Sequence, residues 1–566
     1  MTNPLLVIPT AQVIPIELQA EFGRLPSAMI PINNRPALSY ILDAYGKLAM
    51  DVLVIAGEES QSLYELAARR RDPKLAVIEA TGSASLAETV LRALDHTDGL
   101  EKHLVLNFGD TLVQRELAWC DCVVYARKEE VYRWTTFDVE DGRLVGLTEK
   151  LHEKEDATSR NVFVGVFEIA RSGDFAIRLR DAVARADDDI DPFYLALQSY
   201  LDARCDEGVV VRYEEVATWY DFGHLDTYYA TRRALSSGAR EFNTVTIDAK
   251  RGTLLKRSRH KAKLRNEIAW YMRVPQSLQH YSPRIFDHSL DPEEPFVEME
   301  YYGYPTLNDV YLHGAYSVGE WELILSAVGH FVDDAHEHTL EPDHPEALLG
   351  ALHEMYENKT RDRLAPVLHD DRFESFCTSF QVNGEDVMGL DAFLRSFPHV
   401  AQACGLYVSP RFTVLHGDLC LSNILFDRRN GTIRLIDPRG DFGGFDVYGD
   451  FRYDLAKLSH SLHGDYDFLV NGLFDLDVAG REVRLEMHYG PRHQAIKTLF
   501  DRWLDRRFAT EVTRIRLIES LLFLSMVPLH ADRFRSQQAF LVRGLQIYSS
   551  IVKSLPASLE GEPSRV

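Results

Sequence analysis

Three oxygen-bearing side chains occur close together past residue 415. Asp418 lies in Val414-Leu-His416-Gly417-Asp418, Asn423 follows five residues on, and Asp437 ends the run Arg434-Leu-Ile-Asp437-Pro-Arg-Gly. Transfer of a phosphoryl group needs an aspartate near the acceptor hydroxyl and oxygen ligands that hold Mg²⁺ on the nucleotide phosphates. These three are the right residue types. Asp418 and Asn423 share one loop and Asp437 closes the next β-like run, so a hairpin brings all three together. The competing reading is a polar His-Gly-Asp turn and a strand-ending Asp-Pro; the joint spacing argues against it.

The elements that must position these groups fall into two halves. Up to residue 233, β-rich runs (5–9, 51–57, 103–110) alternate with helical stretches (37–48, 86–95), the rhythm of a mostly parallel sheet covered by helices, with ligands at the carboxyl ends of the strands. The Ser-Ser-Gly punctuation within 234–242 marks a junction. Two β-like runs (243–248, 253–258), a charged helix through Trp270 and a strand at 296–302 then predict a small β-rich lobe at 243–305. Residues 306–557 read as a larger helical lobe with short β-like runs at 423–426 and 432–437, and 558–566 as a loose tail. The length of 566 residues excludes a single small module. With 62 Lys+Arg against 86 Asp+Glu the net charge is −24, which argues against bulk nucleic acid or anionic membrane as partner and leaves nucleotides open. Six cysteines without CxxC spacing predict reduced thiols and a cytoplasmic location. Neither a signal-like N-terminus nor a membrane-length apolar run is present in the sequence.

His416-Gly-Asp-Leu-Cys-Leu-Ser-Asn423 with the downstream Ile436-Asp437-Pro-Arg-Gly, and Tyr448-Gly-Asp-Phe-Arg-Tyr-Asp-Leu-Ala-Lys-Leu458 after it, resembles the aminoglycoside phosphotransferase/choline kinase family over roughly 240–550. The resemblance implies a bilobal protein-kinase-like fold, Asp418 as catalytic base, His416 shaping the loop, and Asn423 and Asp437 binding Mg²⁺. Lys256, on a strand-like run after Leu254 and Leu255, and Glu267, in the next helix, form a pair suited to fixing a lysine on the ATP phosphates. A solvated cationic face is the competing reading of 256–265, where Lys261 and Lys263 belong to the helical run. No GxGxxG loop joins the first strands. Adenine is expected on the backbone near Glu298 and Glu300. Glu354, Tyr356, Asp446 and Asp465 are candidates for a cationic or polyhydroxylated acceptor, with ordinary surface as the alternative for each.

In the first half, Pro26-Ser27-Ala-Met-Ile-Pro31-Ile-Asn-Asn-Arg35-Pro36-Ala-Leu38 resembles the PKxLxPVxxKPxL segment of sugar-nucleotide pyrophosphorylases and related nucleotidyltransferases. Further pieces follow in family order: Thr81-Gly82-Ser83-Ala-Ser85 for nucleotide contact, Asn107-Phe-Gly109-Asp110 and Trp219-Tyr-Asp221-Phe-Gly223 for two metal-binding aspartates, and Glu149-Lys150. Two such carboxylates hold Mg²⁺ across nucleotide phosphates while a phosphorylated acceptor attacks the α-phosphorus and pyrophosphate leaves. Two family features are missing: the glycine-rich phosphate loop is replaced by 9–24, and the lysine of PK is Ser27. Loss of backbone amides and a cation weakens a triphosphate site, and Arg24, Arg35 or Lys150 are the candidates to compensate. The DxD motif of glycosyltransferases is absent after Asp110, and Cys120 and Cys122 read as structural thiols.

The expected fold class is therefore α/β: an N-terminal nucleotidyltransferase-like domain (1–233) plus a C-terminal bilobal protein-kinase-like domain. The expected function is a bifunctional enzyme that phosphorylates a small alcohol or sugar with ATP and Mg²⁺, then couples the phosphomonoester to an NTP, in a setting such as cell-surface polysaccharide or envelope synthesis. The alternative keeps the kinase active and makes the first domain a degenerate binding or regulatory module. An interaction protein built from two inactive enzymes is disfavoured by the intact His-Gly-Asp, Asn and Asp set. Acceptor, NTP base and oligomeric state stay open at this level.

Overall fold

The computed structural model describes residues 3–83, 85–97, 101–129, 131–149, 159–185, 190–236, 243–340, 345–408 and 411–555. The chain divides into two compact units, Met1–Ser236 with His313–Ala315, and Ser237–Leu312 with Tyr316–Val566. Lys150, most of the 234–242 junction and the 558–566 tail lie outside the described residues.

In the first unit the run Leu5–Thr10 is a fully buried strand, as a central strand covered on both faces requires. Leu104–Asn107, Leu5–Thr10, Asp51–Ala56 and Leu75–Glu79 lie side by side in that order, all parallel. Helices such as Ala37–Tyr45 and Leu86–Asp95 return the chain between them. Successive side chains of the central strand enter opposite cores: Leu5 and Val7 pack with Leu106 and Phe167, Leu6 and Ile8 with Ile41 and Val105. Past Leu104–Asn107 the sheet becomes largely antiparallel. Arg160–Ile169 pairs with it, Thr136–Glu140 and Arg143–Thr148 continue to the edge, and Cys122–Lys128 pairs with Arg160–Ile169 and adds Arg212–Glu215 in parallel. The nine-stranded sheet places the carboxyl ends of Leu5–Thr10 and Leu104–Asn107 next to each other, where an α/β sheet gathers ligands.

The second unit opens with an antiparallel sheet ordered Asn243–Asp248, Thr253–Ser258, Phe296–Glu300, Ile285–Ser289. Helix Lys261–Arg273 packs on it through Leu264, Ile268 and Tyr271. The larger part is helical, built around Val318–His336, Phe451–Leu462, Val512–Met526 and Phe534–Ser554, with the hairpin Ile424–Asp427/Thr432–Leu435 set into it. One feature departs from the expected helical pattern. Phe380–Val382, Glu385–Val387, Phe474–Ala479 and Glu482–Met487 form a second four-stranded sheet. Its reversals use Asn383-Gly384 at φ 52° and 85° and Gly480 at φ 64°, the left-handed positions tight hairpins require. Among the described residues no helix is long and apolar enough to cross a membrane.

Candidate active sites

In the first unit the two carboxylates meet. Thr111 pairs with Asp221 across a short antiparallel ladder, and the Phe222 N–H donates to Asp110 O at 2.8 Å. Gly223 lies between the two side chains: a Cβ there would stand 2.7 Å from Asp110 Oδ2 and 3.2 Å from Asp221 Oδ1. Asp221 accepts from Gly223 N at 2.8 Å, His224 Nδ1 at 2.8 Å and Thr227 Oγ1 at 3.0 Å, which fixes its orientation. Burial, reinforced by the negative charge of Asp221, pushes the Asp110 carboxyl up to about 6. Burial alone would lower His224, yet Asp221 and Asp110 move it upward. Two carboxylates that repel each other across a glycine suit a hard cation that also takes phosphate oxygens.

Both open into a cavity of about 380 Å³ lined by Thr10, Gln12, Ser27, Phe108, Arg133, Trp134, Glu149, Tyr194 and His224 among others. Several expected contacts lie elsewhere. Arg24 is an exposed residue paired with Glu58 and Glu59 at 3.1 and 3.2 Å, and Arg35 is paired with Asp43 at 2.5 Å. Neither lines the cavity, so neither replaces the missing lysine as the chain is folded here. Gly82 is an exposed turn residue at φ 76°; it and Ser83 are not lining residues, and the helix that follows contributes Leu86 and Thr89 instead. Among the described residues, Arg133, ion-paired with Asp226, is the Lys or Arg that lines the cavity. In place of a glycine-rich loop the chain forms a helix, Ile16–Phe22, entered through Pro15.

In the second unit Lys256, on Thr253–Ser258, is buried between Glu267 Oε1 and Oε2, both at 2.8 Å, and Asp437 Oδ1 at 2.9 Å. Burial works against the ammonium, but Asp437 and Glu267 together raise its pKa. Asp437 sits in the left-handed region at φ 58° and its N–H donates to Tyr271 Oη at 3.2 Å. Asn423 Nδ2 donates to Asp418 O and Oδ2 at 2.9 and 3.1 Å. The Ile436 N–H donates to Asn423 O and the Arg439 N–H to His416 O, at 3.0 and 2.8 Å, which ties the loop to the segment after strand Thr432–Leu435 that holds Asp437. His416 is wholly buried: its Nε2 faces Ile436 O at 3.1 Å and its Nδ1 faces the Asp418 N–H at 3.3 Å. Burial holds it down at about 4, so it is a neutral strut for the loop.

Two partners of this loop come from helix Phe451–Leu462. The buried Asp454 accepts from His416 N at 2.7 Å and Gly417 N at 2.8 Å. Lys457 Nζ lies 2.8 Å from Asp418 Oδ1; burial would raise the Asp418 carboxyl, but Lys457 holds it well below the usual carboxylate range. The adenine placement needs correction. Glu298 lies inside the sheet, opposite both Leu255 and Asp287, and Glu300 N donates to Arg284 O at 2.8 Å. The chain leaves the sheet only at 301–305.

Residues 231–475 match the family model APH, Phosphotransferase enzyme family. No curated protein matches the chain. Among solved structures, the chain is similar to UDP-glucose pyrophosphorylase complexed with UDP-glucose, at 14% identity over 42% of this chain and 100% of that one, TM-score 0.33. It is similar to CTP:phosphocholine cytidylyltransferase from Streptococcus pneumoniae at 11% identity over 41% and 100%, TM-score 0.32. A thermostable mutant of aminoglycoside phosphotransferase APH(4)-Ia in its apo form is similar at 14% identity over 54% and 90%, TM-score 0.32. The phosphotransferase segment contains Lys256, Glu267, His416, Asp418, Asn423 and Asp437. It also contains two residues to which sequence reasoning assigned no role, Asp454 and Lys457. Their signal was a spacing of three inside a helical run, which puts both on one face. His224 and Arg133 of the first unit had no comparable signal.

Proposed function

We propose that this protein is a small-molecule kinase joined to a nucleotidyltransferase, with residues 1–233 carrying the second activity and 243–557 the first. The observation that carries the kinase reading is the convergence, in one unit, of the Lys256–Glu267 pair on Asp437 and of Asn423 on Asp418. Lys256 meets the α- and β-phosphates of ATP, and the backbone of 301–305 meets adenine. The Asn423 amide oxygen and the Asp437 carboxylate are hard oxygen donors of the kind Mg²⁺ takes; bound there, the ion neutralises charge on the phosphates. Asp418, ionised through Lys457 and aimed by Asn423, accepts the proton of the acceptor hydroxyl as its oxygen attacks the γ-phosphorus; the bond to ADP breaks and a phosphomonoester forms.

In the first unit Asp110 and Asp221 are the donors for Mg²⁺, with His224 and Thr227 orienting Asp221. The aromatic walls, Trp134, Trp219 and Tyr194, suit a base or sugar ring. A phosphomonoester oxygen attacks the α-phosphorus of an NTP and pyrophosphate leaves, giving a nucleotide-activated metabolite of the sort used in polysaccharide assembly. A second reading, in which this unit only binds or regulates, is favoured by two observations: Arg24 and Arg35 are committed to surface carboxylates, and no glycine-rich loop follows the first strand. Incubation with ATP, Mg²⁺ and a panel of alcohols and sugars yields ADP and a phosphomonoester, abolished by Asp418→Asn; a wild-type protein that neither binds ATP nor turns over any acceptor defeats the kinase reading. Asp110→Ala stops pyrophosphate release and spares ADP formation; no pyrophosphate from any NTP with the kinase product favours the second reading.

A further inference from the structure

The residues around Asp418 carry a charge pattern opposite to the one expected for a cationic acceptor. Of the acidic and aromatic candidates, Asp465 is fully buried and paired with Lys497 and Arg543. Tyr356 is buried with its hydroxyl on Asp450, Asp446 is paired with Arg273, and Glu354 takes Asn358. The open side of Asp418, whose side chain is 35% exposed, is bordered instead by cations. Lys457 touches Asp418 itself. Arg439 packs on the loop so closely that a Cβ on Gly417 would stand 2.7 Å from Arg439 Cβ. Arg439 Nη1 and Lys359 Nζ converge on the Tyr453 hydroxyl at 3.1 and 3.4 Å, and Arg363 stands close enough to act on both Tyr453 and Lys359.

Four cations thus surround one phenol and one carboxylate. Nearby carboxylates are engaged elsewhere: Asp450 with Arg452, Glu357 with Arg361. Among the described residues Lys359, Arg363 and Arg439 form no ion pair. Burial and the neighbouring cations push the Lys359 ammonium down to about 8, and Lys359, Arg439 and Lys457 overcome burial to bring the Tyr453 phenol down to about 7. An excess of half-buried positive charge is costly without a counter-anion, and this chain, at net −24, is otherwise well supplied with carboxylates. A second, independent sign lies in the backbone. The turn that delivers Lys359 is π-helical, His353–Asn358, a rare distortion found mostly at functional sites.

We propose that the acceptor is an anionic alcohol, a hydroxy acid or a phosphate-bearing polyol, whose negative group is held by Lys359 and Arg439 while its hydroxyl faces Asp418. This rests on the kinase reading and names its substrate class. The full-length protein with MgADP, at constant ionic strength, is titrated with D-glycerate, gluconate and glycerol 3-phosphate, and with glycerol and choline as neutral and cationic counterparts, reading the shift in Tm. At least one anionic alcohol raises Tm in the wild type and glycerol and choline do not. The shift is lost in Lys359→Met/Arg439→Gln and retained in Lys359→Arg, which also shows that the site tolerates substitution. No anion-dependent shift, an equal shift in the double variant, or a larger shift with choline or glycerol overturns the inference. In turnover assays Lys359→Met raises KM for the anionic acceptor by tenfold or more and leaves KM for ATP unchanged; the reverse pattern would assign the cations to nucleotide phosphates and also overturn it. Failure of the kinase reading is separately visible as absence of MgADP binding by calorimetry. Turnover of a neutral or cationic acceptor with Asp418-dependent ADP release keeps the kinase and removes the charge assignment.

Discussion

Lys256→Met removes the one cation between Glu267 and Asp437 and keeps most of its methylene volume. At separations of 2.8 and 2.9 Å, each attraction is about 6 kcal/mol gross at an effective dielectric of about 20. Desolvation of the three groups offsets much of this, and removing one member of a buried pair costs about 3–5 kcal/mol because the other charge is stranded. The loss depends on pH, since Glu267 escapes by taking up a proton. Burial already holds its carboxyl at about 7 beside Lys256, against about 4.3 for an unfolded glutamate. A folded carboxyl that titrates above its unfolded value is penalised as pH rises past about 4.3, and the penalty is complete only above the folded value. In Lys256→Met the carboxyl loses the ammonium that lowers it and is pushed further up, so the added penalty is felt near pH 8 and fades near pH 5.5, where the carboxyl is protonated with or without Lys256. The assay is urea unfolding of the full chain followed by tryptophan fluorescence, Trp270 lying on the same helix as Glu267. Lys256→Met is destabilised by about 3–5 kcal/mol near pH 8, the gap to wild type narrows near pH 5.5, and adding Glu267→Gln recovers stability without recovering ATP affinity. A loss under about 1 kcal/mol at both pH values, or one that Glu267→Gln leaves unchanged, refutes the reasoning.

Asp454→Asn presents an amide NH₂ to one of two buried backbone N–H groups; it costs about 1–3 kcal/mol of stability and lowers kcat, and an unaltered unfolding curve removes Asp454 as the anchor of the loop. Gly223→Ala drives a methyl between Asp110 and Asp221 and weakens Mg²⁺-dependent NTP binding by on the order of tenfold, about 1.4 kcal/mol, read by calorimetry with MgCTP and MgUTP. Arg24→Ala combined with Arg35→Ala changes stability by less than about 1 kcal/mol and leaves that binding unaltered; a loss of NTP affinity would restore these arginines to the site.

The groups that the sequence placed well are those whose chemistry and element coincide. Lys256 follows two leucines on a strand and Glu267 occupies a helix start-to-core position, so two local readings fixed their meeting; Asp418 and Asn423 needed only one loop. Contacts that depend on which of several carboxylates captures a cation were not legible. Arg24 and Arg35 stand next to the right motifs in sequence, yet Glu58, Glu59 and Asp43, brought in by folding, take them. The same holds for Asp465, acidic and in the expected region but sealed between Lys497 and Arg543. Sequence leaves the Glu298 backbone open to adenine because the strand is visible and its neighbours are not: Ile285–Ser289 is an exposed, weakly alternating segment. The second sheet went unread although its Asn-Gly turn was in view, because its strands are only three to six residues long.

Asp454 and Lys457 also constrain the chain as a matter of helical phase. One holds the backbone of the His416-Gly417 turn and the other the carboxylate of Asp418, from positions three apart on one helix. A residue inserted or deleted between Asp450 and Asp454 would rotate both by about 100° and withdraw backbone anchor and counter-ion in the same stroke. The sheet at 380–387, by contrast, can gain or lose turn residues without turning any group that faces Asp418. The length of the segment joining Asp450 to Lys457 is thus as fixed as the identity of the residues at its end.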